Sequence, residues 1–197
     1  MKIGVLSDIH ENFHNLILAL EELKRQQVEH IFCLGDLINE GVAKVLAISD
    51  VPVFMIWGNN DGEVIGVVKT AYREGSALTV SGNTYDFIEV DGRTLFLTHY
   101  DDLARPMALS GQYDAVFYGH THLSEITTEG DCLIVNPGEI SAQKTRKATI
   151  AVYDTTSNTA ELIELEGSVS LKTPEAEAYL KANKDRLAFR SAHVYKL

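Results

Sequence analysis

Residues 1–10 read MKIGVLSDIH, and the rest of the chain is organised around this stretch. Ile3, Val5 and Leu6 form a short apolar run of the kind that becomes a fully buried strand. The run stops abruptly at Ser7-Asp8-Ile9-His10. Side chains two apart on an extended chain point the same way, so Asp8 and His10 can converge at the strand's carboxyl end. A carboxylate and an imidazole there form half of a site for a borderline divalent cation. An isolated D-x-H is more often a hydrogen-bonded loop, so its meaning depends on what the other strand ends carry.

Outward from His10, Phe13, Leu16, Ile17, Leu20 and Leu23 recur at helical spacing, with Asn12 as N-cap. A second strand, Ile31 to Leu34, ends in Gly35-Asp36. A weaker helix over Gly41 to Ser49 leads to a third strand, Val53 to Trp57, which ends in Gly58-Asn59-Asn60-Asp61. This alternation implies a parallel sheet with right-handed crossovers. Asp61 to Arg73 reads as a further helix.

The second half reads differently. Thr84 to Val90 and Arg93 to Thr98 flank Asp91-Gly92, a type I′ hairpin signal, and the hairpin ends at His99. Asp102 to Ser110 is helical despite Pro106, and Ala115 to Tyr118 is a buried strand ending in Gly119-His120-Thr121-His122. Two more hairpins are expected, Ser124 to Thr128 with Cys132 to Val135, and Thr149 to Tyr153 with Ala160 to Leu165. Asn136-Pro137-Gly138 between them is a turn. From Gly167 the composition shifts. There Thr173 can cap a helix with Pro174 at its first position, and Ala176, Tyr179, Leu180, Leu187 and Phe189 give it an apolar stripe. The expected division is a domain over 1–166 and an extension over 167–197 that packs on the domain or on a neighbouring subunit.

Composition sets limits on function. The 197 residues, 45% hydrophobic, suffice for one domain with a sizeable core. No run of 18 apolar residues suggests a membrane span, and Met1 leads directly into the first strand, so no signal peptide is expected. Cys33 and Cys132 each lie in an apolar run, which suggests free buried thiols and a cytoplasmic protein. The net charge of −11 disfavours a surface that tracks long nucleic acid.

Five strand ends thus carry Asp8 and His10, Asp36, Asn59, His99, and His120 with His122, four of the chain's seven histidines among them. Ligand sites in parallel α/β sheets lie beyond the carboxyl ends of the strands. His14 and His30 fall outside this set and read as ordinary polar residues.

The order D-x-H, G-D, G-N-x-D, a lone His and G-H-x-H resembles the calcineurin-like metallophosphoesterase superfamily. The chain's size, its Asn136-Pro137-Gly138 and its G-N-N-D variant are similar to the small bacterial and archaeal YfcE-like phosphodiesterases. The resemblance covers about residues 1–165 and implies an α/β four-layer α-β-β-α sandwich, two packed mixed β-sheets flanked by helices. It implies a dinuclear phosphodiesterase for small phosphodiesters, working by attack of a hydroxide that bridges the metals. Asp8, His10, Asp36 and His122 would hold one metal, and Asp36, Asn59, His99 and His120 the other. Such a donor set suits Mn²⁺ first, with Fe²⁺, Zn²⁺ or Ni²⁺ as alternatives, over Ca²⁺. Two dications against two carboxylates leave a charge of roughly +2, enough to attract phosphate to an acidic protein.

The chain departs from the superfamily pattern in two places. Many members have His after the motif Asn, resembling a general acid for the leaving group. Here Asn60 stands in that position, as a candidate catalytic and substrate-binding residue that cannot deliver a proton at neutral pH. Tyr100 and Asp101 follow His99 where many members have Gly-His. Asp61 is expected to be a helix cap or a support rather than a ligand. A phosphomonoesterase, a fold-only scaffold like the retromer relative, and a nuclease are the competing readings. Lys144, Arg146 and Lys147 form a small basic cluster that could touch substrate phosphate or simply be solvated. A homo-oligomer is compatible with the apolar tail.

Overall fold

A computed structural model describes residues 1–182 of the chain. In order, its elements are β1 (Lys2–Leu6), α1 (Phe13–Arg25), β2 (His30–Cys33), α2 (Glu40–Ala47), β3 (Val53–Met55), α3 (Val64–Ala71), β4 (Leu78–Val80), β5 (Tyr85–Val90) and β6 (Arg93–Thr98). They continue with α4 (Asp101–Leu109), β7 (Ala115–Phe117), β8 (Glu125–Glu129), β9 (Cys132–Asn136), β10 (Thr149–Asp154), β11 (Thr159–Glu164) and α5 (Pro174–Ala182).

The strands form two mixed sheets, one in the order β11-β10-β1-β2-β3-β4 and one in the order β5-β6-β7-β9-β8. β1 to β4 run parallel, and β10 joins β1 antiparallel. In the second sheet β6, β7 and β9 are parallel, with antiparallel strands at the edges.

The period-two geometry of a strand explains the layers. Ile3 and Val5 of β1, Leu95 and Leu97 of β6, Ala115 and Phe117 of β7, Leu133 and Val135 of β9, and Ala151 and Tyr153 of β10 all pack between the sheets. Their alternates face outward. Leu6, Cys33 and Ile150 meet α1 and α2, while Phe96, Val116 and Ile134 meet α4. The central strands are buried on both faces, while β5, β8 and β11 at the edges are not, and the result is the expected four-layer α-β-β-α sandwich.

Local signals account for the elements. Asn12 caps α1 by accepting from the Asn15 N–H at 3.1 Å. Asp91 and Gly92 both have positive φ (50° and 76°), as a type I′ hairpin requires. Pro106 sits inside α4 without ending it.

Two features differ from the sequence expectation. β4 is not among the expected strands, because Leu78-Thr79-Val80 is only three residues between polar and glycine-containing segments. The helix expected from Asp61 starts only at Val64, with Glu63 left-handed ahead of it (φ 47°), because the Asp61 carboxylate is engaged elsewhere. Among the described residues, no helix is long and apolar enough to cross a membrane.

The segment after Gly167 returns to the body before α5 begins. The Val169 carbonyl accepts from Asn12 and Asn15 Nδ2, each at 2.8 Å, and its N–H donates to Asn15 Oδ1 at 2.8 Å. The expected boundary at 166/167 thus falls just ahead of a contact with two buried asparagines near His10. Thr173 caps α5, as the Thr-Pro pair predicts: its Oγ1 accepts from the Ala176 N–H at 3.2 Å. Arg146 ties α5 to the body through Glu177 at 2.7 Å. Ala176 and Tyr179 of the expected stripe are exposed, and Leu187 and Phe189 lie outside the described residues.

Truncation after Glu166 should take the Val169 partner from buried Asn12 and Asn15, which keep Ser141 and Ile140 carbonyls, and leave Asn15 Oδ1 unmet, at about 1–3 kcal/mol for each unmet group. A fall in melting temperature of about 5–10 °C is expected. Truncation after Thr173 keeps Val169 and should cost less. Equal melting curves for the two truncations would show that the Val169 contact contributes nothing.

Candidate metal centre

The motif loops meet where the carboxyl ends of β1, β2 and β3 face those of β6 and β7 across the two sheets. The loops hydrogen-bond to one another. Asp8 N donates to Gly35 O at 3.1 Å, His10 N to Asp36 O at 3.0 Å, Gly119 N to His99 O at 3.1 Å, and Ser141 N to Asp8 O at 3.0 Å.

Three glycines permit this approach. A Cβ on Gly35 would lie 2.4 Å from Gly58 N, one on Gly58 would lie 2.2 Å from Asp36 Oδ1, and one on Gly119 would lie 2.1 Å from Ser7 Oγ. The side chains they accommodate belong to strained residues. Asp8, His10, Asp36, His120 and His122 all have positive φ, between 45° and 66°. Asp and His tolerate this region better than most residues, at a cost of order 1–3 kcal/mol each. Left-handed turns directly after the strands aim these side chains into one small volume.

Asp36 is the hub. Its Oδ2 lies 3.4 Å from His10 Nε2, and its Oδ1 lies 3.5 Å from His99 Nε2. Asn60 clasps the same carboxylate, donating its backbone N–H to Oδ1 at 2.8 Å and its side-chain amide to Oδ2 at 2.7 Å. Asp8 Oδ1 faces His122 Nε2 at 3.2 Å and His10 Nε2 at 3.8 Å, while its Oδ2 accepts from Ser7 Oγ at 2.7 Å and His120 N at 3.0 Å. Burial pushes the Asp8 carboxyl up, but the adjacent His10 and His122 rings and the Ser7 hydroxyl outweigh it and hold it below its usual value. The His120 ring packs against those of His99 and Tyr100, with centroids 5.2 and 5.3 Å apart.

Other groups orient the imidazoles. His99 Nδ1 donates to the Leu34 carbonyl at 2.7 Å, so in the neutral ring Nε2 presents a lone pair to Asn59 Oδ1 at 3.0 Å. His122 Nδ1 donates to Glu139 Oε2 at 2.6 Å, which turns its Nε2 toward Asp8.

Glu139 was not anticipated from the sequence. It is fully buried and also accepts from Ser141 Oγ and from the backbone N–H groups of Gln143, Lys144 and Thr145. Burial pushes Glu139 up, yet its hydrogen bonds from His122, Ser141 and Thr145 hold the carboxylate far below its usual range. Burial lowers His122, but the Glu139 hydrogen bond and the Asp8 and Glu139 charges raise it above its ordinary value. A signal was available: an acidic residue directly after Asn-Pro-Gly, between apolar segments. Asp61 is a support. Its carboxylate accepts the N–H groups of Gly58, Asp36, Leu37 and Ile38 at 2.7–3.1 Å, joining the two glycine loops.

These residues fit divalent cations. Among the described residues, Asp8 Oδ1 and His10 Nε2 are buried without a hydrogen-bond partner. Ligand atoms of Asp8, His10 and His122, and of Asp8, Asp36 and His99, lie within 4.8 Å of one another. His99 Nε2 and Asn59 Oδ1, 3.0 Å apart, are disposed as two ligand atoms around one cation. Buried carboxylates with only histidine for ion-pair partners also call for positive charge.

Carboxylates and imidazoles gathered at strand ends between two packed sheets define a metal-dependent hydrolase. Residues 1–158 match the calcineurin-like phosphoesterase superfamily domain, and the chain belongs to that superfamily of hydrolases. It is 33% identical over 160 residues to a phosphodiesterase of Methanocaldococcus jannaschii, covering 79% of this chain and 93% of that protein. Phosphodiesterase YfcE of Escherichia coli is 28% identical over 159 residues, covering 73% and 82%. The solved structure of an archaeal phosphodiesterase superposes with a TM-score of 0.74 at 30% identity, over 84% of this chain and 100% of that one.

Gly58→Ala should displace Asp36 and lower stability by about 1–3 kcal/mol, the usual cost of overpacking. Its uptake of Mn²⁺, followed by calorimetric titration, should fall as well. At Gly82 an added Cβ meets nothing within 4 Å, so Gly82→Ala is the control and should stay within about 0.5 kcal/mol of the parent. Equal melting and titration curves for the two variants would show that the close approach at Gly58 does not constrain the site.

Proposed function

We propose that this chain hydrolyses small phosphodiesters at a centre of two divalent transition metals, with Mn²⁺ the best-suited ion. Asp8, His10, Asp36 and His122 would hold one ion, and Asp36, Asn59, His99 and His120 the other. One observation carries the reading: the two oxygens of Asp36 face His10 and His99, one imidazole from each set, at 3.4 and 3.5 Å. The names of the relatives support the choice of a phosphodiester. The filled ligand set favours an enzyme over a scaffold. Cys33 and Cys132, both buried and free, are in keeping with a cytoplasmic setting.

When bound, such ions polarise phosphoryl oxygens and acidify an attacking water. The chain's own residues do the positioning. Asp61 and the three glycines fix the loops, Leu34 and Glu139 fix the His99 and His122 rings, and Asn60 holds Asp36 in place. Asn60 can also offer a hydrogen bond to substrate, but its amide has no proton to give a departing alkoxide.

Asp36→Asn should lose both metals, because a shared carboxylate neutralises charge at two cations and its removal leaves them repelling. His10→Ala should lose mainly one. Elemental analysis after purification with Mn²⁺ reads the difference, and equal losses would contradict the shared role. Added Mn²⁺ should also raise the parent's melting temperature.

Activity should fall steeply as the leaving group's pKa rises, since aryl oxides depart unaided and alkoxides do not. Asn60→His should rescue the poor leaving groups, within the roughly 10²–10⁴-fold worth of general acid catalysis. Rates on a graded phosphodiester series would test this at saturating Mn²⁺. Parallel slopes for the two proteins would remove the role given to this position.

A further inference from the structure

We propose that Lys144 is a substrate-binding residue, its ammonium placed beside the histidine loop to take a phosphoryl oxygen of the ester. The proposal rests on the reading of the centre as a phosphoric ester hydrolase and adds the group that recognises the anion.

The three cations after Asn136-Pro137-Gly138 have different surroundings. Lys147 Nζ pairs with Glu164 at 2.7 Å. Arg146 pairs with Glu177 at 2.7 Å and also reaches Ser170 Oγ at 3.2 Å. Both are structural ties to the last hairpin and the tail. The Lys144 side chain is exposed and makes no ion pair among the described residues, in a protein whose acidic residues outnumber its basic ones by 28 to 17. Its Nζ instead donates to the Thr121 carbonyl at 2.9 Å. Thr121 stands between His120 and His122, so an unpaired positive charge lies against the loop that carries two candidate ligands. An ammonium has three donors, and Thr121 takes one.

The placement is built in from below. Glu139 Oε1 accepts the Lys144 N–H at 2.8 Å and the Thr145 N–H at 2.7 Å, and Oε2 accepts the Gln143 N–H at 3.1 Å. Oε2 of the same carboxylate orients His122. One buried side chain therefore sets both the ring that would hold a metal and the loop that carries the cation. A loop that served only as a connection would not need a fully buried carboxylate shared with the centre. One point charge suits a phosphoryl oxygen whether it belongs to an ester or to free phosphate.

The test uses the full chain loaded with Mn²⁺, inorganic phosphate as the probe, and calorimetric titration. Lys144→Met should weaken phosphate binding by about tenfold or more, the worth of a charge-assisted hydrogen bond. Lys144→Arg should stay within about threefold of the parent, and Lys144→Glu should weaken binding further than Lys144→Met. Elemental analysis should find the same Mn²⁺ content in all four proteins. With bis(p-nitrophenyl) phosphate, Lys144→Met should raise KM more than it lowers kcat. A parent that binds no phosphate, or a Lys144→Met protein that binds it as tightly as the parent, overturns the proposal. A parent that binds phosphate through Lys144 yet hydrolyses no ester supports the anion site and overturns the hydrolase reading instead.

Discussion

Asp8, Asp36 and Glu139 are buried together, and among the described residues their ion-pair partners are all histidines. This concentration of negative charge is the constraint on which the rest of the structure depends. Carboxylates removed from water are tolerated only if positive charge or many hydrogen bonds compensate. Glu139 is compensated by N–H and O–H donors from its own loop and by His122. Asp36 and Asp8 are compensated only in part, and among the described residues Asp8 Oδ1 has no hydrogen-bond partner. The protein concentrates its unmet electrostatic demand at the point where cations would sit.

Such a centre requires a rigid frame, and the two-sheet sandwich provides one. β1, β2, β3, β6 and β7 each divide their side chains between an inner and an outer core, so the ends that carry the motifs are held from both faces. The glycine contacts and the loop-to-loop hydrogen bonds then lock the turns beyond those ends. Left-handed backbone at five of the candidate ligands can persist because the surrounding packing over-determines it.

Much of this was legible in the sequence, for particular reasons. Val5, Phe32, Leu97 and Phe117 lie in short apolar runs, and runs buried on both faces carry a strong signal. The residues that follow them belong to few chemical types, so Asp8, Asp36, His99 and His122 stood out against an apolar background. The contacts that depend on tertiary approach were not legible. Glu139 acts on His122 from 17 positions away, and its place directly after Asn-Pro-Gly says nothing of that partner. Asp61 sits at the head of an apparent helix, but backbone N–H groups about 25 positions upstream take its carboxylate. β4 has only three residues, and it is a strand because β3 lies beside it.

β1 is interior to its sheet, between β2, which follows closely in the chain, and β10, more than a hundred residues later. Contacts between partners so distant in sequence form slowly, because the intervening chain must first be gathered in. Asp8 and His10 emerge early in synthesis, yet the Asp8 carbonyl gains the Ser141 N–H only when the segment just ahead of β10 arrives. Before that pairing the two residues would offer a cation no more than an open, weak chelate. An assembly in this order would defer the firm capture of a cation until β10 has paired with β1.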